Sequence, residues 1–413
     1  MVSTAHTQSQ PREFASLPGL EHLKVTLVVS DLSKRGAGRW GGAVRPFLLA
    51  QALRKLGCQV KLVGFTFGEE ATIAPMPDLD VVAIAGNPYP AFLKSVWTLL
   101  QHIDGDIIYA YKPKPTSFGV ALLQKLRMGH PLILDIDDWE LSWHGGDKET
   151  YRPTLKQLAR DTLKPDGALR NPDHPVYLRW MEALVNRADA VTLHTQFLQN
   201  RFGGVYVPNG KDVSLFNPEE YDSPTLKQKY KLSDYRTLMF PGAPRPYKGV
   251  EDVLMALEQL NQPDLRLVIV GGSPYDDYDR QLTDRWGNWI IQLPKIPHPQ
   301  MPEVIAAADV IVVPQRDTPA AQAQFPLKLT DGMAMAKPIL ATRVGDIPRI
   351  LGNTGYLVDP DSPTQLATQI EWVFAHLEEA IALGKQARQR CIETCSIDTM
   401  AILLSDVISQ LNQ

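Results

Sequence analysis

Cysteine is scarce: three in 413 residues, at Cys58, Cys391 and Cys395. So few, so far apart, exclude a disulfide scaffold and a thiolate zinc site, and a reducing compartment is the natural expectation. No stretch approaches the ~18 consecutive apolar residues of a transmembrane helix. The polar opening, residues 1–20, lacks the apolar run of a secretory signal and reads as a disordered tail. An excess of one charge is missing too. With 42 Lys+Arg against 46 Asp+Glu, the net charge is -4, and a nucleic-acid partner is not expected without a basic excess. These absences together imply a cytoplasmic protein, with peripheral contact at the inner face of a membrane left open.

What is present is an ordinary globular composition, 44% hydrophobic, over a length that implies two or three domains at roughly 100–200 residues each. Short Val/Ile/Leu-rich runs recur. In the first half they are LKVTLVVS, QVKLVGF, LDVVAI, DIIYAY, PLILDID and AVTLH; in the second, TLMFPG, LRLVIVGG, WIIQL, VIVVP, PILAT and GYLVD. Continuous rather than alternating runs fit strands covered on both faces. The helical spacing between them, as in GGAVRPFLLAQALRKLG, implies parallel sheets in an α/β architecture. Twelve strands, six and six, are too many for one doubly wound sheet. The expectation is therefore two Rossmann-like, doubly wound domains: residues 21–215 and 236–394, joined by a polar linker over 216–235. A C-terminal helix, about 395–413, is free to pack back on the first domain. The stretch Trp139–Leu184 breaks the rhythm and reads as a loop and two helices overhanging the cleft.

Four constellations carry chemistry. Gly41 and Gly42, in GRWGGAVRP, follow the first strand and open a helix, where the backbone approaches a ligand and a helix start favours an anion. In PGAPRPYKG, Arg245 and Lys248 lie after the first strand of the second domain; a planar fork and a point charge suit a diphosphate. In FPLKLTDGMAMA a helix is expected from about Pro326 to Ala336, with Lys328 and Asp331 on one face. In LDIDDWE, alternation puts Asp135 and Asp137 on one side of a strand end and Asp138 on the other; metal binding, sugar orientation and base chemistry are all open to them. Trp139, Trp143, Trp180, His144 and His174 lie in the overhang. His194 reads as a hydrogen-bonded structural histidine, and His298 as a neighbour of a bound base. Pro88–Ile103 is either an interfacial helix or core packing.

Taken together, these stretches resemble the group 1, or family 4, glycosyltransferases. The similar segments are GGAVRPFLLAQALRKLGCQV, VPNGKDVSLFNP, PGAPRPYKGVEDVLMAL, LVIVGG, AADVIVVPQ and GMAMAKPILATRVGDIP, in the family's order. The resemblance implies the GT-B fold, two Rossmann-like domains facing each other across a cleft. It implies transfer of a sugar from a nucleotide-sugar donor, UDP- or GDP-linked, to a lipid, glycan or small-molecule acceptor with retention, and no required metal or tightly bound cofactor.

By that resemblance Lys248 contacts the leaving diphosphate, Arg245 substitutes from two residues away for a family arginine that falls at Ala243, and Asp137 positions donor or acceptor. Gly41, Gly42, Gly272, Lys328 and Asp331 line the donor, and Asp138, Trp143 and His144 the acceptor. The sequence also departs from the family. The first acid of its Glu-x7-Glu motif falls at Ala323, the second at the shorter Asp331, and the strand-end histidine is Asp137. Two other readings stay open: a binding subunit without turnover, and a metal-dependent transferase using LDIDD as its Asp-x-Asp.

Overall fold

The apolar runs become strands of two all-parallel sheets in the computed structural model, which describes residues 20–33, 36–37, 45–68, 78–148, 150–273 and 276–411. In the first domain β1 (Lys24–Val29), β2 (Gln59–Thr66), β3 (Asp80–Ala85), β4 (Ile107–Tyr111), β5 (Leu132–Ile136), β6 (Ala190–Leu193) and β7 (Val205–Tyr206) take the order β3-β2-β1-β4-β5-β6-β7. In the second, β8 (Arg236–Pro241), β9 (Leu265–Val270), β10 (Ile290–Leu293), β11 (Val310–Val313), β12 (Ile339–Thr342) and β13 (Tyr356–Val358) take the order β10-β9-β8-β11-β12-β13. Parallel strands need cover on both faces, which is why Leu27, Val28 and Val29 are all fully buried although they point to alternate sides. The strand order reverses between β1 and β4 and again between β8 and β11. Ligands of open α/β sheets bind at such switch points, beyond the strands' C-terminal ends. The fold is GT-B.

Two elements differ from the sequence expectation, and a third takes one of its two alternatives. The segment over 216–235 is not a loose linker. Phe216, Leu226 and Leu232 enter the second domain's core, and the Lys227 ammonium donates to Asp309 at 2.6 Å. Its apolar residues are too widely spaced to form a run, so composition alone hides them. The strand β7, only two residues long, has no run to announce it. The helix Phe92–Leu100 is core packing on one face: Phe92 and Leu100 are buried, while Trp97 is 63% exposed.

The C-terminal helix Ile397–Leu411 crosses back to the first domain, where Met400, Leu404 and Ile408 are fully buried with Phe47 and Leu53. The two domains also touch along the cleft. Asp346 of the second accepts the Gln196 amide of the first at 3.0 and 3.1 Å, and the Arg349 guanidinium lies 3.9 Å from the Tyr206 ring centroid. Ala323 is fully buried in a cluster that includes Trp139 and Leu141. The overhang comprises two short turns, Glu140–His144 and Gly146–Lys148, then helices Leu155–Leu163 and Pro175–Ala183.

Candidate active site

The second-domain wall is set by glycine. After β8 the chain makes a tight turn, Pro246–Lys248, and Gly249 follows at φ 65°. A Cβ on Gly249 would stand 1.9 Å from the Pro314 carbonyl oxygen, so neither the dihedral nor the space admits a side chain. That contact fixes Lys248 beside the end of β8. Its ammonium donates to the Ala243 carbonyl at 3.0 Å. Burial, then Lys328, then Arg245, hold its pKa well below the ordinary lysine value.

Lys328 comes from the helix Leu327–Ala334, for which Pro326 is the N-cap rather than the first helical residue, and the helix ends two residues earlier than expected. Its ammonium sits 4.6 Å from the Phe240 ring centroid. Burial lowers it to about 8 against the pull of Asp331. Arg245 completes the trio and donates to Asp276 at 2.8 Å. Gly272 lies beside this cluster: a Cβ there would come 2.5 Å from Asp279 Oδ2, and the next amide, Ser273, donates to the same oxygen at 3.2 Å.

One turn further along the same helix stands Asp331. Its carboxylate accepts from the Lys211 ammonium, and Lys211 reaches across from the interdomain segment. The Lys211 backbone is pinned as well: its amide donates to Cys395 O at 2.6 Å and its carbonyl accepts from Ile397 at 3.0 Å. His298 adjoins this pair, its ring 5.7 Å from Phe216, its pKa lowered by burial and by Lys211. Asp331 is therefore already paired, a fact that spacing of Lys328 and Asp331 did not suggest.

The first-domain wall is an ion network. Arg45, at the start of the helix Arg45–Lys55, is 2% exposed; its Nε donates to both Asp135 oxygens at 2.5 and 2.7 Å, and its Nη1 to Asn209 at 3.0 Å. Asp135 is thereby committed. It cannot act as the first acid of a metal-binding Asp-x-Asp without stripping Arg45 of its partner. Asp137 accepts from the Tyr111 hydroxyl and lies 3.3 Å from the Lys112 ammonium. Lys112 also donates to Glu140 at 2.6 Å, and Lys114 bridges Glu140 at 3.0 Å and Asp173 at 3.4 Å. Burial alone would raise Glu140, but Lys112 and Lys114 overcome it and hold it near 2. Asp138 behaves oppositely. Burial lifts it to about 7 despite Lys112, and the Trp143 indole N–H donates to it at 3.0 Å.

Trp143 stands at the cleft mouth, 6.1 Å from the Tyr247 ring of the opposite domain, and His144 beside it is exposed. Trp139 is core, Trp180 is exposed, and His174 caps the helix Pro175–Ala183 by accepting the Val176 amide at 3.3 Å. His194 is buried against Phe325, with Asn209 and the Ala323 carbonyl as its polar partners, and burial lowers it to about 3. Gly41 and Gly42 lie outside the described residues. Sequence reasoning missed Arg45 and Lys211. A carboxylate in the middle of the buried run LILDI was the available signal for the first.

Comparison with known proteins decides the family. The model for a glycosyl transferase 4-like domain matches residues 41–213 and that for glycosyl transferases group 1 matches residues 235–376, together more than half the chain. The chain belongs to the group 1 glycosyltransferases. This glycosyltransferase is 26% identical over 251 residues to a GDP-mannose-dependent alpha-(1-6)-phosphatidylinositol monomannoside mannosyltransferase of Mycolicibacterium smegmatis, covering 57% of this chain and 66% of that one. The match thus spans just under two thirds of the mannosyltransferase. It is 28% identical to a D-inositol 3-phosphate glycosyltransferase of Corynebacterium glutamicum, over 88% of this chain and 90% of that one. Among solved structures, Anabaena Alr3699/HepE in complex with UDP-glucose superposes with a TM-score of 0.71 at 19% identity, covering 94% of this chain and all of that one. That likeness is one of fold.

Proposed function

We propose that this glycosyltransferase moves a hexose from a nucleotide sugar to an acceptor held on the first domain, with retention of configuration. One observation carries the reading. Lys248, Lys328 and Arg245 converge at the ends of β8 and β9 and the start of the helix Leu327–Ala334, and mutual repulsion helps depress Lys248. Crowded cations are relieved by a dianion, and a diphosphate at a strand-end switch point supplies one. As the glycosidic bond breaks, charge grows on the leaving phosphate, and fixed cations in a water-poor cleft stabilise it without reorganising. The proposal assigns no role to a metal.

Asp137, oriented by Tyr111 and Lys112, holds a sugar or acceptor hydroxyl; Asp138, Trp143 and His144 line the acceptor side. Asp331 shares the ribose hydroxyls with Lys211. The acceptor attacks from the face the diphosphate leaves, and a phosphate oxygen takes its proton. Relatives named for phosphatidylinositol monomannoside and for inositol 3-phosphate favour an acceptor bearing an inositol phosphate, and the donors to try first are GDP-mannose and UDP-glucose. The proposed setting is cytoplasmic, with the inner membrane face available for a lipid acceptor.

The test is hydrolysis or transfer of a panel of nucleotide sugars by the pure protein. Lys248→Ala is expected to lower turnover about 10²–10³-fold, the usual cost of one charge-stabilising donor. A second reading, binding without turnover, is favoured by Ala323: where the family places a sugar-facing acid, this chain packs a methyl into a closed apolar contact. It predicts a nucleotide sugar that stabilises the protein yet is released intact.

A further inference from the structure

The helix Leu155–Leu163 faces the wrong way for a globular protein. Leu155, Leu158, Ala159, Thr162 and Leu163 share one face at helical spacing, the pattern of a stripe meant for a core. Yet the three leucines are 87%, 41% and 75% exposed. The residue this helix buries is Asp161, which accepts the Tyr151 hydroxyl at 2.7 Å. The helix is otherwise well made: Thr154 caps it by accepting the Gln157 amide at 3.2 Å. Its flank is basic. Lys148, Arg152, Lys156, Arg160 and Lys164 are all exposed, and the facing acid is Asp166, 4.0 Å from Arg160.

Beside it opens a pocket of about 300 Å³ lined by Tyr151, Arg152, Val176, Arg179 and Trp180, with Trp180 58% exposed. The bias extends to the whole domain. Of twelve exposed large hydrophobic side chains among the described residues, ten belong to the first domain and two, Trp372 and Ile381, to the second.

We propose that the first domain docks on an anionic phospholipid bilayer through this helix. The leucines enter the boundary between headgroups and acyl chains, Lys156, Arg160 and Lys164 lie among the lipid phosphates, and the indole of Trp180 sits at headgroup level beside the two arginines. A second copy of the chain fits less well, because pairing two such faces sets one basic flank against another. The inference stands without the donor reading.

The experiment is flotation of the purified full chain with vesicles of phosphatidylcholine alone and of phosphatidylcholine with phosphatidylglycerol, at physiological ionic strength. Binding to the anionic vesicles is expected. The double variant Leu155→Glu, Leu163→Glu and the double variant Lys156→Glu, Arg160→Glu should each weaken it by more than about tenfold. Both pairs are exposed, so an unchanged melting temperature shows that the fold survives. Lys248→Ala should float like the parent, which separates this inference from the donor site. No vesicle binding, equal binding to neutral vesicles, or binding that both doubles leave unchanged would overturn it. So would a dimer in sedimentation that the leucine variant dissociates.

Discussion

The two walls of the cleft handle charge in opposite ways. On the first domain four carboxylates of the cluster are answered and, among the described residues, only its Asp138 is left without an ion pair: Asp135 by Arg45, Asp137 by Tyr111 and Lys112, Glu140 by Lys112 and Lys114, Asp173 by Lys114. On the second domain Lys248 and Lys328 are half-buried together, and both are pushed below the ordinary lysine value. A balanced network fixes geometry. An unbalanced one stores a demand for an anion, and the protein meets the desolvation of its own lysines only when the ligand arrives. The first wall is thus built to hold a shape, the second to bind.

The comparison is broken most severely at Asp135. Asp135→Ala leaves Arg45 buried without a counter-ion and should destabilise the protein by about 3–5 kcal/mol, read as a loss of urea midpoint. Replacing Arg45 and Asp135 together with Met and Leu should recover most of that. On the opposite wall Lys248→Ala should do the reverse: it removes a cation from a crowded set, so the melting temperature should hold or rise while turnover falls about 10²–10³-fold.

Lys328 sharpens the contrast through pH. Its folded value is lowered to about 8, so the free protein loses this charge as pH rises through 8. Donor KM should therefore climb about tenfold per pH unit above that point, and Lys328→Met should raise KM at pH 7 while flattening the profile.

The smallest effect is at Asp138. Its carboxyl is raised to about 7, so the native state keeps a proton that the unfolded chain has lost. That stabilisation is complete below the unfolded value, near 4, and disappears as pH rises through 7, with a slope of at most about 1.4 kcal/mol per unit. Melting curves between pH 6 and 8 check it, and Asp138→Asn should level them.

How much of this was legible beforehand depended on the distance over which the physics acts. Continuous Val/Ile/Leu runs disclosed twelve strands because burial on both faces leaves its mark on neighbours in sequence. Val205–Tyr206 and the segment holding Phe216, Leu226 and Leu232 leave none, so a strand and a packed element passed for connection. The second wall was readable because Arg245 and Lys248 sit in one loop and Lys328 at a helix start. The first wall was not, because Arg45 and Asp135 lie 90 residues apart, and the same kind of distance hid Lys211 from Asp331 on the second, 120 residues away. In the overhang, two helices were expected, but nothing said which way the leucines of Leu155–Leu163 would point.

The central claim is that a diphosphate restores the proton that burial takes from Lys328, beside Lys248. Calorimetric titration with UDP and GDP at a pH just above 8, repeated in buffers of different ionisation enthalpy, measures it directly. Uptake of protons on binding, reduced in Lys328→Met, is the predicted result. Nucleotide binding with no dependence on the buffer would contradict the account.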